Sequence, residues 1–232
     1  MARLPRLVIP SQPHYIIQRG LNGLPVFQDS ADYEAFIGWM RGAAKQFKVA
    51  VHAYSLLPGE LHLLATPADE GGLAGMMQLL GRYYVPYYNQ KYARAGTLWH
   101  GRYKTSVIDA ANYLLLCSRY IELAPVRAGL AGHPEQYAWS SYAHHVGQKP
   151  EGAVTDHALY WGLGNTPFQR EAAYTELSAN GLGSADIKAI ESAVLKGWPL
   201  GSDKFKTELE HRAKRQVLPA KRGRPFKKPV QA

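Results

Sequence analysis

The sequence is poor in cysteine and has no long hydrophobic run, and both absences limit what kind of protein it encodes. Its single cysteine, Cys117, cannot form an internal disulfide, which fits a reducing compartment. No apolar stretch approaches the length of a membrane span, and the basic N-terminus lacks the apolar core of a signal peptide. We therefore expect a soluble, cytoplasmic protein without a membrane partner.

Acidic residues are missing from two parts of the chain. Eight of the 27 Lys and Arg residues but none of the 18 Asp and Glu residues lie from residue 211 onward, so residues 1–210 carry 19 basic and 18 acidic side chains. Between residues 71 and 108 there are five basic residues and no acidic one. A basic tail and a positive face of the body indicate nucleic acid as the natural partner.

Within the tail, Arg222 and Arg224 stand on either side of a glycine in the stretch KRGRP. An extended arm with this spacing suits the narrow minor groove of A·T-rich DNA, where arginines meet an enhanced negative potential. The simpler alternative is general attraction to phosphates. Either interpretation makes both arginines candidate DNA-binding residues.

The main body has the pattern of one packed domain: 46% of the residues are hydrophobic and 11% are aromatic. Alternating and helical periodicities predict the order strand, helix, strand, strand, helix, strand. The predicted segments are 14–20, 29–48, 49–57, 60–66, 72–84 and 97–109, with Pro86 as a kink or end of the second helix. This order predicts an α+β, ferredoxin-like (split βαβ) fold, with helices on one face of an antiparallel sheet and the other face open for binding.

Further helices are predicted after the sheet. Asp109 is a candidate cap for a helix that must stop near Pro125. We expect this body to span residues 1–150, a small helical C-terminal region with three short helices to span 151–210, and a basic, disordered DNA-binding tail to span 211–232.

Glu60 and His62 lie two residues apart on a predicted strand, in the stretch PGELHLLATP. Successive strand side chains point to opposite faces, so these two share a face. An imidazole and a carboxylate on one strand can supply part of a site for Mg or Mn. The alternative is the polar face of an ordinary strand.

Tyr120 lies on the predicted helix that begins after Asp109. A tyrosine there is by default a core aromatic whose hydroxyl reaches the surface. The alternative is a nucleophile, since a phenol can attack a phosphodiester and hold the strand end covalently.

Three basic residues, Arg19, Arg102 and Lys104, fall on the predicted first and fourth strands. Together with Trp99 and Tyr103 they would form a basic, aromatic surface of the kind that binds single-stranded nucleic acid. A solvated sheet edge is the alternative.

Several motifs occur in an order and spacing that resemble the REP-associated tyrosine transposases, a branch of the single-strand HUH transposase superfamily. These motifs are IIQRGLN, PGELHLLATP, GTLWHGRYKTS, RYIELAPVRAG and YAWSSY. The similarity covers about residues 3–147. The resemblance implies a ferredoxin-like nuclease that recognises hairpin-forming single-stranded DNA as a monomer or homodimer. It also implies a nucleophile at Tyr120, a 5′-phosphotyrosyl intermediate with a free 3′-hydroxyl, and Mg or Mn as the metal.

The chain departs from the family pattern at two positions. The family has His, a hydrophobic residue and His where this chain has Glu60, Leu61 and His62. Four positions after the nucleophile the family usually has Asn or Gln, which is a third metal ligand. This chain has Ala124 there, and alanine offers no ligand. His100 is a candidate substitute ligand, and stacking of its imidazole on DNA is the alternative.

These departures leave two functional hypotheses, together with a third from another class. The first is a transposase-type endonuclease and strand transferase that uses Tyr120, with His62 and Glu60 on the metal. The second is a domesticated or decayed relative that binds hairpin DNA without cutting it. The third, an RNA-binding module on the same kind of sheet, has no dedicated aromatic pair to support it.

Overall fold

The computed structural model describes residues 6–213 and Val217, and the described residues form a sheet flanked by helices. The strands are β1 (His14–Arg19), β2 (Val49–Leu57), β3 (Glu60–Pro67) and β4 (Lys104–Val107). The longer helices are α1 (Ser30–Gln46), α2 (Gly72–Lys91), α3 (Ala110–Glu122), α7 (Pro167–Ala179), α8 (Ser184–Lys196) and α9 (Asp203–Ala213). Single turns of helix are α4 (Ala124–Arg127), α5 (Tyr142–His145) and α6 (Ala158–Trp161).

The described strands make one antiparallel sheet in the order β2-β3-β1-β4. β2 and β3 form a hairpin across Pro58 and Gly59, and β3 lies between β1 and β2, which are joined through α1. This is the split βαβ arrangement, so the predicted ferredoxin-like α+β fold is confirmed.

α1 and α2 pack together on one face of the sheet and bury its alternate side chains. Phe36 and Met40 of α1 lie in one core with Leu80 of α2 and with Leu61 and Leu63 of β3. Because strand side chains alternate, Glu60, His62 and Leu64 of the same strand must point to the opposite face. This alternation decides which face carries the predicted metal ligands.

The N-terminus of α1 is fixed to the C-terminus of α2 by charge. The side chain of Asp29 accepts a hydrogen bond from the backbone of Asp32, and Asp32 reciprocates in a capping box. Lys91, the last residue of α2, lies 2.6 Å from Asp29 and 2.8 Å from Asp32. These contacts join α1 and α2 into one layer on their shared face of the sheet.

The second face of the sheet is covered, and the prediction that it would be open was wrong. Leu114 and Cys117 of α3 pack on Leu64 of β3 in a core that also takes Ile190 and Val194 from α8. Burying these apolar side chains removes them from water and holds α8 against the sheet. The second face is thus a packed layer with a pocket at one end of it.

Two helix and strand boundaries differ from the prediction. α2 continues through Pro86 to Lys91, because Tyr84 and Tyr88 on either side of the proline are fully buried and donate hydrogen bonds to backbone carbonyls. β4 begins only at Lys104, since Gly101 has a φ of 69° and turns the chain just before it.

The C-terminal region contains the three predicted helices, α7, α8 and α9. Most of the basic tail, including Arg222 and Arg224, lies outside the described residues. Among the helices of residues 6–213, none combines the length and apolarity needed to cross a membrane.

A candidate active site between the sheet and helices α3, α4 and α8

A pocket of about 340 Å³ opens on the second face of the sheet, between the ends of β1 and β3 and the helices α3, α4 and α8. We call it the site pocket. Its lining residues are Tyr15, Ile17, Arg19, Leu57, Glu60, His62, Tyr120, Ala124, Arg127, Ala128, Glu191, Val194 and Leu195. It therefore brings together Tyr120, Glu60, His62 and Arg19, which lie up to 101 positions apart in the sequence.

Glu60 and His62 form a connected polar chain along one side of the site pocket. Oε2 of Glu60 accepts a hydrogen bond from Nε of Arg19 at 2.8 Å. Oε1 of Glu60 lies 2.9 Å from Nε2 of His62, and Nδ1 of His62 lies 2.7 Å from the hydroxyl of Tyr15. Both carboxylate oxygens of Glu60 and both ring nitrogens of His62 therefore have a hydrogen-bond partner within the protein.

The tautomer of His62 decides what this chain can bind. If the Tyr15 hydroxyl donates to Nδ1, then Nε2 carries the proton and donates to Glu60. If Nδ1 instead donates to the Tyr15 oxygen, the lone pair of Nε2 is free for a metal ion. The hydrogen bond of Tyr15 thus determines whether Nε2 of His62 donates to Glu60 or is free to bind a metal ion.

Glu60 is held in its charged form. The hydrogen bond from His62 lowers the pKa of Glu60 most strongly and outweighs the partial burial of the carboxyl group, which raises it. Arg19 lowers this pKa further. Together they lower the pKa of Glu60 to about 2. The residue is consequently an anion throughout the physiological range, as a ligand for a hard cation must be.

Tyr120 lies across the site pocket with its side chain 7% exposed. Its hydroxyl donates to Oε1 of Glu191 at 3.0 Å, and the guanidinium of Arg127 stands 3.8 Å from the centre of its ring. Its ring packs edge-on against Tyr15, with centroids 6.0 Å apart. Tyr15 therefore touches both His62 and Tyr120 and links the two sides of the pocket.

The phenol of Tyr120 is protonated at neutral pH. Burial raises its pKa most strongly, Arg127 opposes that shift, and the hydrogen bond to Glu191 adds to it, so that the pKa is about 12. A nucleophile in this state has to lose a proton as it attacks.

Glu60 and His62 offer a carboxylate and an imidazole, which are the kinds of ligand that a hydrated divalent ion accepts. Ala124 is 4% exposed and lines the pocket without offering a donor. In residues 6–213 and Val217 no group of three His, Cys, Asp or Glu side chains is close enough to hold a metal. Glu60 and His62 fit Mg or Mn, because these ions accept one or two protein ligands together with waters and substrate phosphates.

The other predicted residues lie outside the site pocket. His100 lines a neighbouring pocket of about 470 Å³ that shares Arg19 and Glu60 with the first. Lys104 is exposed at the start of β4, whereas Arg102 lies in the preceding loop, so its placement on a strand was wrong.

The predicted basic, aromatic surface lacks its aromatic half. Trp99 is 7% exposed within the core beneath α1 and α2. Tyr103 is 8% exposed, with the guanidinium of Arg6 stacked 3.7 Å above its ring. Neither ring is available for stacking on a base, because each is already covered by the protein.

Sequence reasoning missed three polar residues of the site pocket, Tyr15, Arg127 and Glu191. Tyr15 stands directly before the motif IIQRGLN. Arg127 stands seven positions after Tyr120 within the motif RYIELAPVRAG, and a helical continuation of α3 would have placed it nearby. Glu191 is separated from Tyr120 by 71 positions, and no motif marks it.

No family model and no curated protein sequence matches the chain. Among solved structures, the chain is similar to a REP-associated tyrosine transposase bound to a REP hairpin, with 14% identity and a TM-score of 0.51 over 67% of this chain and 93% of the other. A second similar structure is a putative transposase from Deinococcus radiodurans R1, with 19% identity and a TM-score of 0.36 over 52% of this chain and 96% of the other. The first of these shares its fold with this chain.

Proposed function

We propose that this chain is a transposase-type protein of the REP-associated tyrosine transposase kind, which binds hairpin-forming single-stranded DNA and cleaves and rejoins it. The observation that carries the proposal is the site pocket. It unites a buried tyrosine hydroxyl, a carboxylate–imidazole pair and two arginines in one cavity. The fold shared with a REP-associated tyrosine transposase supports the same conclusion.

In the proposed reaction the hydroxyl oxygen of Tyr120 attacks a phosphorus atom of the DNA backbone. A bond forms between this oxygen and phosphorus, the bond from phosphorus to the 3′-oxygen breaks, and the 5′ end stays on the protein as a phosphotyrosine. Attack by the freed 3′-hydroxyl of another strand reverses the step and rejoins the DNA. The phosphotyrosine bond thus conserves the energy of the broken phosphodiester bond, and the joining step uses it to form the new one.

The cations of the site pocket suit a phosphate at this point. Arg127 and Arg19 are both exposed at the pocket, Arg19 with 53% of its side chain. Their guanidinium groups can bind phosphate oxygens on either side of the scissile bond. Mg or Mn held by Glu60 and His62 would neutralise further charge on the phosphate.

The proposal is tested by a denaturing-gel assay for a covalent adduct. End-labelled hairpin oligonucleotides from the DNA flanking the gene are incubated with the protein and Mg or Mn. We expect an adduct with wild type that is absent with Tyr120→Phe. Tyr113→Phe on the same helix is the matched control, because Tyr113 does not line the site pocket. An adduct of equal yield with Tyr120→Phe would refute the role of this residue.

A second candidate function is binding of hairpin DNA without cleavage. It is favoured by the pairing of both Glu60 oxygens with Arg19 and His62, and by the apolar side chain at Ala124. It predicts hairpin affinity that is unchanged by EDTA and no cleavage in Mn. Cleavage that appears only after the double change Glu60→His with Ala124→Asn would establish it over the first.

A further inference from the structure

Glu191 is brought to the site pocket by α8, a helix from the C-terminal region. Ile190, Ala193 and Val194, its neighbours on that helix, are buried in the same core as Tyr120. The helix ends at Gly197 in the left-handed conformation, which lets the chain turn back to the sheet. Glu191 therefore reaches the pocket from a backbone that is fixed on both sides of it.

The contact between Glu191 and Tyr120 involves the atom that would react. Oε1 of Glu191 accepts a hydrogen bond from the hydroxyl of Tyr120, and the two oxygens lie 3.0 Å apart. This distance lies within the range required of a group that removes a proton from a nucleophile. Glu191 itself is exposed and lines the cavity, so it can exchange protons with water.

The other acid–base groups of the site pocket are engaged with each other. The oxygens of Glu60 are occupied by Arg19 and His62. Nδ1 of His62 is occupied by Tyr15. Among the described residues that line the pocket, Glu191 is thus the carboxylate whose hydrogen bond goes directly to the phenol of Tyr120.

We propose that Glu191 is a catalytic residue, the general base that takes the proton of Tyr120 during cleavage and returns it during strand joining. This inference rests on the proposed function and extends it to α8. It makes the C-terminal region part of the reaction centre.

The proton balance of the two steps is complete with water as the only additional reactant. In cleavage, the hydroxyl proton of Tyr120 moves to Oε1 of Glu191 as the bond from the tyrosine oxygen to phosphorus forms and the bond from phosphorus to the 3′-oxygen breaks. The leaving 3′-oxygen takes a proton from a water molecule, which becomes hydroxide. In joining, the attacking 3′-hydroxyl gives its proton to hydroxide, which becomes water again, and Glu191 returns its proton to the departing phenolate oxygen. Arg127, 3.8 Å from the ring centre, stabilises negative charge on the phenolate in both directions.

The test measures single-turnover formation of the covalent adduct by the full chain on hairpin oligonucleotides. Wild type is compared with Glu191→Gln, which keeps the size and the hydrogen bond of the side chain but accepts a proton poorly. Glu176→Gln on α7 is the matched control, because Glu176 is exposed and does not line the site pocket. We expect Glu191→Gln to slow adduct formation about 10²- to 10⁴-fold at neutral pH with unchanged hairpin affinity.

Two further readouts separate proton transfer from a structural role. The rate of Glu191→Gln should rise more steeply with alkaline pH than that of wild type, because hydroxide then has to take the proton of Tyr120. Added formate should restore part of the rate to Glu191→Ala, since a small carboxylate can enter the space left by the side chain.

The outcomes distinguish this inference from the proposed function. Equal or faster adduct formation with Glu191→Gln, or a slow Glu191→Ala that formate does not rescue, overturns the role of Glu191 and leaves Tyr120 as nucleophile. Absence of any adduct with wild type overturns both.

Discussion

The carboxylate of Glu122 holds the end of α3 to two helices behind it, α5 and α7, and replacing it with alanine should strongly destabilise the protein. Glu122 is completely buried at the end of α3, two positions after Tyr120. It accepts hydrogen bonds from Nδ1 of His145 at 2.7 Å, from the hydroxyl of Tyr174 at 2.6 Å and from the hydroxyl of Ser141. One side chain thus joins α3 to α5 and α7.

The expected magnitude follows from these three contacts. Removing one member of a buried ion pair costs about 3–5 kcal/mol, and each buried donor left unpaired costs about 1–3 kcal/mol. The two values overlap for His145, and the Ser141 hydroxyl keeps the backbone oxygen of Tyr54 as an acceptor. The low end of the sum for His145 and Tyr174 is then about 4 kcal/mol, so we expect Glu122→Ala to lower the free energy of unfolding by at least about that amount. That is a large share of the roughly 5–15 kcal/mol that stabilises a typical domain.

The ion pair between Glu122 and His145 predicts how the free energy of unfolding depends on pH. Burial disfavours the charged form of His145, but the Glu122 carboxylate more than offsets it, so the pKa of His145 is raised above its ordinary value. The folded state therefore binds this proton more tightly than the unfolded chain does. The resulting stabilisation is fully present below about pH 6.5 and is lost as the pH rises through the raised pKa.

Urea unfolding of wild type, Glu122→Ala and the surface control Glu176→Gln at pH 6 and pH 9 measures both effects. The loss caused by Glu122→Ala should be larger at pH 6 than at pH 9, and Glu176→Gln should stay within about 0.5 kcal/mol of wild type. A loss below about 1 kcal/mol, or the same loss at both pH values, would refute the reasoning.

Three further predictions concern the site pocket. Glu60→His with Ala124→Asn supplies an imidazole and an amide oxygen as ligands, so Mn affinity by calorimetry should rise on the order of tenfold, about 1.4 kcal/mol; unchanged affinity would argue against a metal site there. Arg19→Gln should weaken hairpin binding and lower the slope of log K against log salt by about 0.7 if Arg19 contacts one phosphate, and an unchanged slope would place that contact elsewhere. Arg127→Gln removes the cation over the ring and should raise the pKa of Tyr120 above about 12, measured by NMR of ¹³C-labelled tyrosine; a lower pKa would contradict the assigned geometry.

The strand and helix order could be predicted because it depends on local periodicity. The alternation in β3 placed Glu60 and His62 on one face, and the register of the sheet sets His62 opposite Ile17 on that face. The end of α2 could not be predicted, since Pro86 is a local helix-breaking signal and the buried tyrosines that outweigh it take their partners from residues 25 and 26. Local rules failed where a distant contact decided the conformation.

The site pocket was only half predictable for the same reason. Arg19, Glu60, His62 and Tyr120 fall in motifs whose spacing marks them, whereas Tyr15 lies just outside one. Glu191 is an ordinary helical glutamate in the sequence, and it becomes part of the pocket only because the apolar residues around it bury α8 against the sheet. The packing of α8 against the sheet therefore explains both why the second face is covered and why Glu191 lies in the pocket.

The proposal that Tyr120 forms a covalent bond to DNA is tested most directly by mass spectrometry of the protein after incubation with a hairpin oligonucleotide. Digestion with nuclease and protease should leave the peptide that contains Tyr120 carrying a nucleotide through its 5′-phosphate. Retention of the hairpin by a protein in which this peptide stays unmodified, or modification of a different residue, would contradict the claim.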